Sequence, residues 1–156
     1  MALKITKVDT WAVEIHDEPG GLAQVLAPLA EAGADLECII ARRQADKFRA
    51  GVVFLTPIKG KKVEAVARSI GLEPAEEMAT LRVEGPDKQG SGLRMTQALA
   101  DAGLNLRGVS SMSCGKNFVC YIGLDSREDA EKAIKALKGL STSTASRNGK
   151  RRLARI

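Results

Sequence analysis

Two glycine-rich turns place an acidic residue just before an apolar helical pattern. The first reads Asp17-Glu18-Pro19-Gly20-Gly21-Leu22, and the second reads Asp87-Lys88-Gln89-Gly90-Ser91-Gly92-Leu93. Glycine lets a ligand approach the backbone closely, and the free N–H groups of a helix's first turn favour a carboxylate or a phosphate. The acidic residue can accept from those amides or bind an ammonium group. A zwitterionic amino acid requires such paired sites, although Asp before a helix is also a common N-cap.

Catalytic and metal-binding chemistry finds little support in the sequence. His16 is the only histidine, and the three cysteines, Cys38, Cys114 and Cys120, form no Cys-x-x-Cys pair. A zinc site of usual spacing is therefore not expected. The phosphate-binding Gly-x-x-x-x-Gly-Lys-Ser/Thr loop and the dinucleotide-binding Gly-x-Gly-x-x-Gly fingerprint are both missing. We predict a protein that is not an enzyme, binds no metal and uses no cofactor.

The positive charge of the chain is concentrated at its C-terminal end. The sequence has 156 residues, of which 44% are hydrophobic and 28% are charged, and its net charge is +5. Five of the 24 basic residues lie in 141–156, which has no acidic residue, so 1–140 is neutral with 19 of each sign. The composition is typical of a folded globular protein, and only the tail is a candidate polyanion contact. Without a long apolar run or a signal-peptide pattern, a cytoplasmic protein is expected.

The sequence repeats itself at a spacing of 70 residues. This shift places Asp17 on Asp87 and Gly20 on Gly90, and no insertion is needed from Val13 to Phe48, which falls on Phe118. Further matches are Leu29 with Leu99, Ala32 with Ala102, Gly33 with Gly103, and Leu36 with Leu106. The chain therefore encodes one supersecondary unit twice.

Hydrophobic periodicity predicts the element order βαββα in each copy. The first copy has a strand over 11–15, a helix over 22–33, a hairpin over 36–55 and a helix over 63–70. The second copy has a strand over 81–83, a helix over 95–103, a hairpin over 109–124 and a helix over 130–137. Each helix follows from an i, i+3, i+4, i+7 apolar stripe, and each strand from a β-rich or alternating run.

A fourth strand would complete a two-layer α+β sandwich with both helices on one sheet face. The sequence leaves its source open. Residues 73–84 could be one extended segment that serves both copies. For the second copy, 141–149 is typical of a linker and 150–156 of an ambiguous short strand, or residues 3–8 could extend the first strand and fill that edge. The expected domains are 1–75 and 76–140, followed by the basic, Ser/Thr-rich tail 141–156.

The ordered motifs resemble those of the ACT domain, a small regulatory module that binds amino acids. The first copy carries Asp17-x-Pro19-Gly20-x-Leu22, an apolar helix, and then Ala32-Gly33-Ala34-Asp35-Leu36; the second carries Asp87-x-x-Gly90 and Ala102-Gly103-Leu104-Asn105-Leu106. The resemblance covers roughly residues 9–140. It implies two tandem ferredoxin-like βαββαβ sandwiches, ligands held by the glycine turn at domain or subunit interfaces, and assembly through sheets placed side by side.

The resemblance also implies which residues contact the ligand. In the family, these are often a polar residue of the turn and the polar residue after the helix-ending glycine. The implied set is Asp17, Glu18, Pro19, Gly20, Gly21, Leu22 and Asp35 in the first copy, and Asp87, Gln89, Gly90, Ser91, Gly92, Leu93 and Asn105 in the second. Because the second turn has Gln89 in place of the family's proline and its leucine is displaced by one residue, the sequence leaves open whether both turns bind, and whether they bind the same molecule.

The predicted function is non-catalytic regulation. We expect a chain that binds a small amino acid or a related metabolite and, since no catalytic domain is visible, acts in trans on a partner protein. A homodimer is expected because paired half-sites and exposed sheet edges both need covering. The alternative is a ferredoxin-like nucleic-acid-binding protein with a basic tail. The neutral body and only five scattered aromatic residues argue against it.

Overall fold

The computed structural model describes residues 2–143, which form two compact units. One unit comprises residues 8–76, and the other combines residues up to 7 with those from 77 onward. The elements are β1 (Lys4–Val8), β2 (Trp11–His16), α1 (Gly21–Glu31), β3 (Cys38–Arg43), β4 (Ala50–Thr56), α2 (Lys61–Ser69), β5 (Glu73–Pro74), β6 (Ala79–Pro86), α3 (Ser91–Asp101), β7 (Gly108–Cys114), β8 (Asn117–Leu124) and α4 (Arg127–Ser143). Among these residues, no helix is both long and apolar enough to cross a membrane.

The first unit is a four-stranded antiparallel sheet with two helices. Its strand order is β3-β4-β2-β5, so the two central strands come from the start and the middle of the unit. Alternate residues of β4, such as Val53 and Leu55, are fully buried and share a core with Val25 and Leu29 of α1. The predicted α+β fold with both helices on one sheet face follows from this alternation.

The second unit repeats this arrangement with a different fourth strand. Its order is β1-β6-β8-β7, so β1, from the N-terminus of the chain, takes the edge position that β5 takes in the first sheet. Leu81 and Val83 of β6 are fully buried and pack with Leu99 of α3 and Leu137 of α4. Both cores are therefore built from the predicted apolar stripes.

The N-terminal segment fills the edge that the sequence left open in the second copy, but it does so as the separate strand β1 and not as an extension of the first strand, β2. The expected domain 1–75 placed the first seven residues in the first unit. Residues 4–8 instead pair with β6 in the second sheet, so the first seven residues belong to the second unit. Segment 73–84 is divided into β5 and β6, which lie in different sheets, and is not one continuous strand. Residues 141–143 continue α4, so the predicted linker does not begin at 141, and the predicted strand over 150–156 lies outside the described residues.

The repeat loses its 70-residue spacing inside the hairpins. Val13 lies opposite Val53, whereas its counterpart Val83 lies opposite Cys120, so the first hairpin is three residues longer than the second. Gly51, not Phe48, therefore occupies the position equivalent to Phe118, and the sequence alignment of the two phenylalanines is wrong. The error arises because a phenylalanine happens to occur 70 residues after Phe48, which hides the three extra residues of the first hairpin.

Candidate functional site

The first glycine turn leaves two backbone amides without an acceptor. Gly20 is the N-cap of α1 in the left-handed region, with φ of +88°, and no side chain caps the helix. The N–H of Gly21 donates to the Glu18 carbonyl over 3.1 Å, and that of Gln24 donates to the Gly20 carbonyl over 3.0 Å. The amides of Leu22 and Ala23, between them, have no hydrogen-bond acceptor within residues 2–143. Their positive ends are available to an anionic group.

Asp17 is not a helix cap but an anchor between the turn and the β3–β4 hairpin. Nε of Arg43 lies 3.0 Å from Oδ1 and 2.9 Å from Oδ2 of Asp17. The Asp17 N–H also donates to the Arg49 carbonyl over 2.9 Å. The Asp17 side chain is 33% exposed, so a solute cation can reach it. The ordinary capping role considered for this residue is absent because Gly20 occupies the N-cap position.

The second turn has the same backbone geometry. Gly90 is the left-handed N-cap of α3, with φ of +78°. The Ser91 N–H donates to the Lys88 carbonyl over 2.9 Å, and the Arg94 N–H donates to the Gly90 carbonyl over 3.0 Å. The amides of Gly92 and Leu93 have no acceptor in the described part of the chain. The repeat therefore preserves a pair of free helix amides at both turns.

A guanidinium group lies over the second turn. Arg94 Nη1 donates to the Gln89 carbonyl over 3.3 Å, and Nη2 donates to Ser91 Oγ over 3.2 Å. A Cβ built on Gly90 would lie 3.5 Å from Nη1. This placement is expected because helical side chains point back toward the N-terminus, which brings residue 94 over residues 90 and 91. The second turn therefore has a guanidinium over its glycine in addition to the Asp87 carboxylate, whereas nothing lies within 4 Å of a Cβ built on Gly20 in the first turn.

The other predicted turn residues differ in exposure between the copies. Leu22 is half-buried and packs on the first core, whereas Leu93 is 70% exposed. Ser91 and Gly21, which follow the two N-caps, are both buried, and a Cβ on Gly21 would lie 2.6 Å from the His16 carbonyl oxygen. The remaining predicted residues are exposed: Glu18, Pro19, Gly20, Asp87, Gln89, Gly90 and Gly92. Both turns are thus accessible to solutes.

Asp35 and Asn105 lie at the opposite end of their helices from the turns. Each is exposed and follows a helix-ending glycine, Gly33 or Gly103, with φ of +89° or +73°. Helices α1 and α3 each have 11 residues, which corresponds to about 16 Å of rise. A single amino acid therefore cannot contact both the turn and the post-helix residue of the same copy.

One carboxyl near the first turn and two thiols have shifted pKa values. Beside the first turn, the hydrogen bond and charge of Lys47 lower the pKa of Glu14. Burial raises the pKa of the Cys38 thiol and of the Cys120 thiol, so neither is poised as a nucleophilic thiolate. Over the described residues, no three His, Cys, Asp or Glu side chains are close enough together to hold a metal ion.

The arrangement can hold small polar ions by complementary charge. At the first turn, two free amides can donate hydrogen bonds to a carboxylate, and the Asp17 carboxylate can accept them from an ammonium group. At the second turn, the free amides and the Arg94 guanidinium both favour an anion. These amides and charged side chains provide the donors and acceptors from which a binding site for a small ion can be built.

Solved structures resemble this chain over most of its length. The regulatory subunit of aspartate kinase from Thermus thermophilus superposes with a TM-score of 0.61 at 19% identity, over 88% of this chain and 94% of that one. The corresponding subunit from Thermus flavus gives a TM-score of 0.56 at 24% identity, again over 88% and 94%. A Bacteroides thetaiotaomicron protein gives a TM-score of 0.72 at 14% identity, over 88% and 90%. This chain has an ACT-like fold. The fold implied by the glycine-turn motifs is thereby confirmed. No protein-family model and no curated protein sequence matches the chain.

Sequence reasoning missed the two arginines that complete the turns of this ACT-like chain. Arg43 lay in a polar stretch predicted only as a hairpin connection, and its contact with Asp17 spans 26 positions in sequence. Arg94 could have been found, because a cation four residues after an N-cap glycine lies one helical turn away on the same face. Its effect is to distinguish the second turn from the first.

Proposed function

We propose that this protein is a non-catalytic regulatory chain that binds a small amino acid or a related metabolite at its glycine turns and acts in trans on a partner protein. The observation that carries the proposal is the repeated pair of free helix amides behind a left-handed glycine, at residues 22–23 and 92–93. The structural similarity to regulatory subunits of aspartate kinase supports a regulatory role over a catalytic one.

The first turn suits the two charges of an amino acid. The amides of Leu22 and Ala23 provide an anion site, and Asp17 lies five residues before Leu22, directly after β2. A ligand carboxylate at the amides would place its ammonium group within reach of the Asp17 carboxylate. The second turn also has an acid at the equivalent position, Asp87, but there the charged side chain nearest the glycine is Arg94.

The second turn suits the anionic part of a ligand. Arg94 uses two of the five guanidinium N–H donors within the turn, and its other donors have no partner in the described part of the chain. Together with the amides of Gly92 and Leu93, they can bind a carboxylate with charge-assisted hydrogen bonds. We therefore propose that the two turns differ in affinity or in ligand.

The size of an amino acid limits how such a site can function. An amino acid has about nine heavy atoms, so micromolar affinity, about 8 kcal/mol, demands roughly 0.9 kcal/mol from each atom. That efficiency requires near-complete enclosure, which an exposed turn does not provide by itself. We propose that assembly completes the site, so that the ligand shifts the assembly equilibrium of the chain.

The edge strands support the proposed homodimer. Ile39 on β3 is 46% exposed, and Val109, its counterpart at the 70-residue spacing on β7, is 41% exposed. Both strands are at sheet edges, where unpaired backbone groups are available to another strand. Pairing of such an edge with a second copy would cover these apolar side chains. Analytical ultracentrifugation across a range of concentrations tests this, with a dimer expected and a monomer at every concentration contradicting it.

A thermal-shift screen followed by calorimetry tests the binding proposal. One or a few of the twenty amino acids should raise the Tm of the wild-type protein. Asp17→Asn should then weaken binding at the first turn about 10- to 100-fold, because it removes a charge-assisted hydrogen bond worth about 1.5–3 kcal/mol. Asp46→Asn, which removes an exposed carboxylate of the neighbouring β3–β4 hairpin, is the matched control and should leave affinity unchanged.

The same screen separates the nucleic-acid alternative. The proposal would be overturned in favour of that alternative by two results together. No amino acid would raise the Tm, and a single-stranded RNA oligomer would still bind in a salt-dependent way after removal of residues 141–156. For the second turn, Arg94→Gln should weaken amino-acid binding. Arg107→Gln, which removes an exposed arginine of the same unit that pairs with Asp125, serves as its control.

A further inference from the structure

Asp17 connects the first glycine turn to one end of the β3–β4 hairpin. Its carboxylate accepts from Arg43, the last residue of β3, and its N–H donates to the carbonyl of Arg49, the residue before β4. Residues 44–49, between these two contacts, are called the hairpin tip below. Both ends of the hairpin tip are therefore fixed to a single residue of the candidate ligand turn.

The second turn has only half of this connection. The Asp87 N–H donates to the Lys116 carbonyl over 2.8 Å, which matches the backbone contact of Asp17. The position equivalent to Arg43 is Ser113, because these residues lie opposite Gly51 and Phe118 in the two sheets. Asp87 has no side-chain partner within residues 2–143, so a side-chain link is specific to the first turn.

The hairpin tip has features that a simple strand connection does not need. It is three residues longer than its counterpart, as the sheet registers show. Phe48 is 94% exposed, whereas Trp11 and Phe118 are buried. Arg49 has φ of +54°, which makes it the one non-glycine residue with positive φ among those described. A non-glycine residue in this conformation is held there by surrounding contacts, here the hydrogen bond from Asp17.

We propose that an amino acid bound at the first turn displaces Arg43 from Asp17 and thereby frees the hairpin tip, which reports ligand occupancy to a partner. This inference rests on the proposed function, since it needs an ammonium group at Asp17. The ammonium and the guanidinium compete for one carboxylate. Arg43 is 84% exposed and returns to water at little cost, so the exchange favours a ligand that is also held by the helix amides.

Calorimetry on an Arg43→Gln variant tests the competition. The probe is whichever of the twenty amino acids most raises the Tm of the wild-type protein. Removing the competing guanidinium should tighten its binding about two- to fivefold, the factor expected from an exposed ion pair. The matched control, Lys132→Gln, removes an exposed ion pair with Glu128 outside the hairpin tip and should leave affinity unchanged. If Arg43 only supported the fold of the turn, Arg43→Gln would weaken binding.

Amide hydrogen exchange tests the release of the hairpin tip. The reporters are the amides of Asp17 and Gln44, which donate to Arg49 and Ala50 over 2.9 Å, and the Asp87 amide is the internal reference. Saturating wild type with the same amino acid, or introducing Arg43→Gln, should speed exchange of the reporters about two- to fivefold relative to Asp87.

The outcomes separate this inference from the proposed function. Binding with unchanged reporter exchange, or with unchanged or weakened affinity in Arg43→Gln, overturns the coupling and leaves the binding proposal intact. If no amino acid binds the wild-type protein, both proposals fail, and calorimetry shows this before any exchange is measured.

Discussion

Gly85 and Phe118 lie directly opposite each other in the second sheet, and a Cβ built on Gly85 would be 3.2 Å from Cε1 of Phe118. In the first sheet, the equivalent partners are Ile15 and Gly51, where a Cβ on Gly51 would be 3.1 Å from Cγ1 of Ile15. Each copy therefore places one large side chain and one glycine at this pair of positions, on opposite strands. The equivalent space is filled in both cores, but the large side chain comes from the first strand of one copy and from the opposite strand of the other.

This exchange predicts that Gly85 does not tolerate a side chain. Gly85→Ala should lower the free energy of unfolding by about 1–3 kcal/mol, since its Cβ would also meet Leu3 Cδ2 at 2.8 Å. Phe118→Ala should cost about 3–5 kcal/mol through the cavity that it leaves. Gly139→Ala is the control: nothing lies within 4 Å of its Cβ, and α4 should gain up to about 1 kcal/mol. Urea denaturation checks all three, and a Gly85→Ala protein as stable as Gly139→Ala would contradict the packing described.

The N-terminal strand should stabilise the second unit selectively. Deletion of residues 1–8 removes β1, which pairs with β6 at the sheet edge. Amide exchange in β6, such as at Leu81 and Val83, should then become faster, because that strand loses its neighbour and is exposed to water. Exchange at Val53 in β4, which is central in the other sheet, should be unchanged. Equal acceleration in both units would disprove this assignment of β1.

The backbone conformation of Gly20 predicts which substitutions it accepts. An added Cβ would meet nothing within 4 Å, but φ is +88°, so the constraint is conformational and not steric contact with neighbours. Gly20→Val should therefore be less stable than Gly20→Asn by roughly 1–2 kcal/mol, since Asn tolerates the left-handed region and β-branched residues do not. Thermal unfolding checks this, with Gly108→Val, at an open strand position of ordinary φ, as control. Equal stability of the two Gly20 variants would mean that the turn relaxes.

The ion pair between Lys47 and Glu14 predicts a pH effect confined to acid. Lys47 lowers the pKa of Glu14 below the ordinary 4.5, mainly through their hydrogen bond. A carboxyl whose folded-state pKa is depressed adds stability above its unfolded pKa and loses that stability as the pH falls through the folded value. Carboxyl NMR titration should show the Glu14 pKa return toward 4.5 in Lys47→Gln and stay depressed in Lys116→Gln. An unchanged pKa in Lys47→Gln would show that the pair does not form in solution.

Local patterns were sufficient to predict the helices and the glycine turns. The helical stripes, such as Val25 with Leu29, and the glycine ends of helices, such as Gly33, depend on residues close in sequence. The exposed positions of the turn residues and their left-handed glycines also follow from local sequence. These are the features on which the ACT-like fold could be predicted.

Long-range partners could not be predicted in the same way. The alternation in β1 indicates a strand but does not encode that its neighbour is β6, more than 70 residues away. The contact of Arg43 with Asp17 depends on the hairpin register, and the insertion that displaced Phe48 from the position of Phe118 was hidden by a coincidence of residue type. The register of a strand pair depends on which face of each strand is buried. That face is known only once the positions of both strands in the fold are known.

Ligand titration followed by amide NMR tests the binding role of the glycine turns most directly. The wild-type protein is titrated with the amino acid that most raises its Tm, and the backbone resonances of Leu22, Ala23, Gly92 and Leu93 are followed. We predict saturable shifts at the first pair, at the second pair or at both, with smaller changes at Asp35 and Asn105 of the same copy. Binding that leaves all four amides unperturbed, or the failure of every amino acid to bind, would contradict the account.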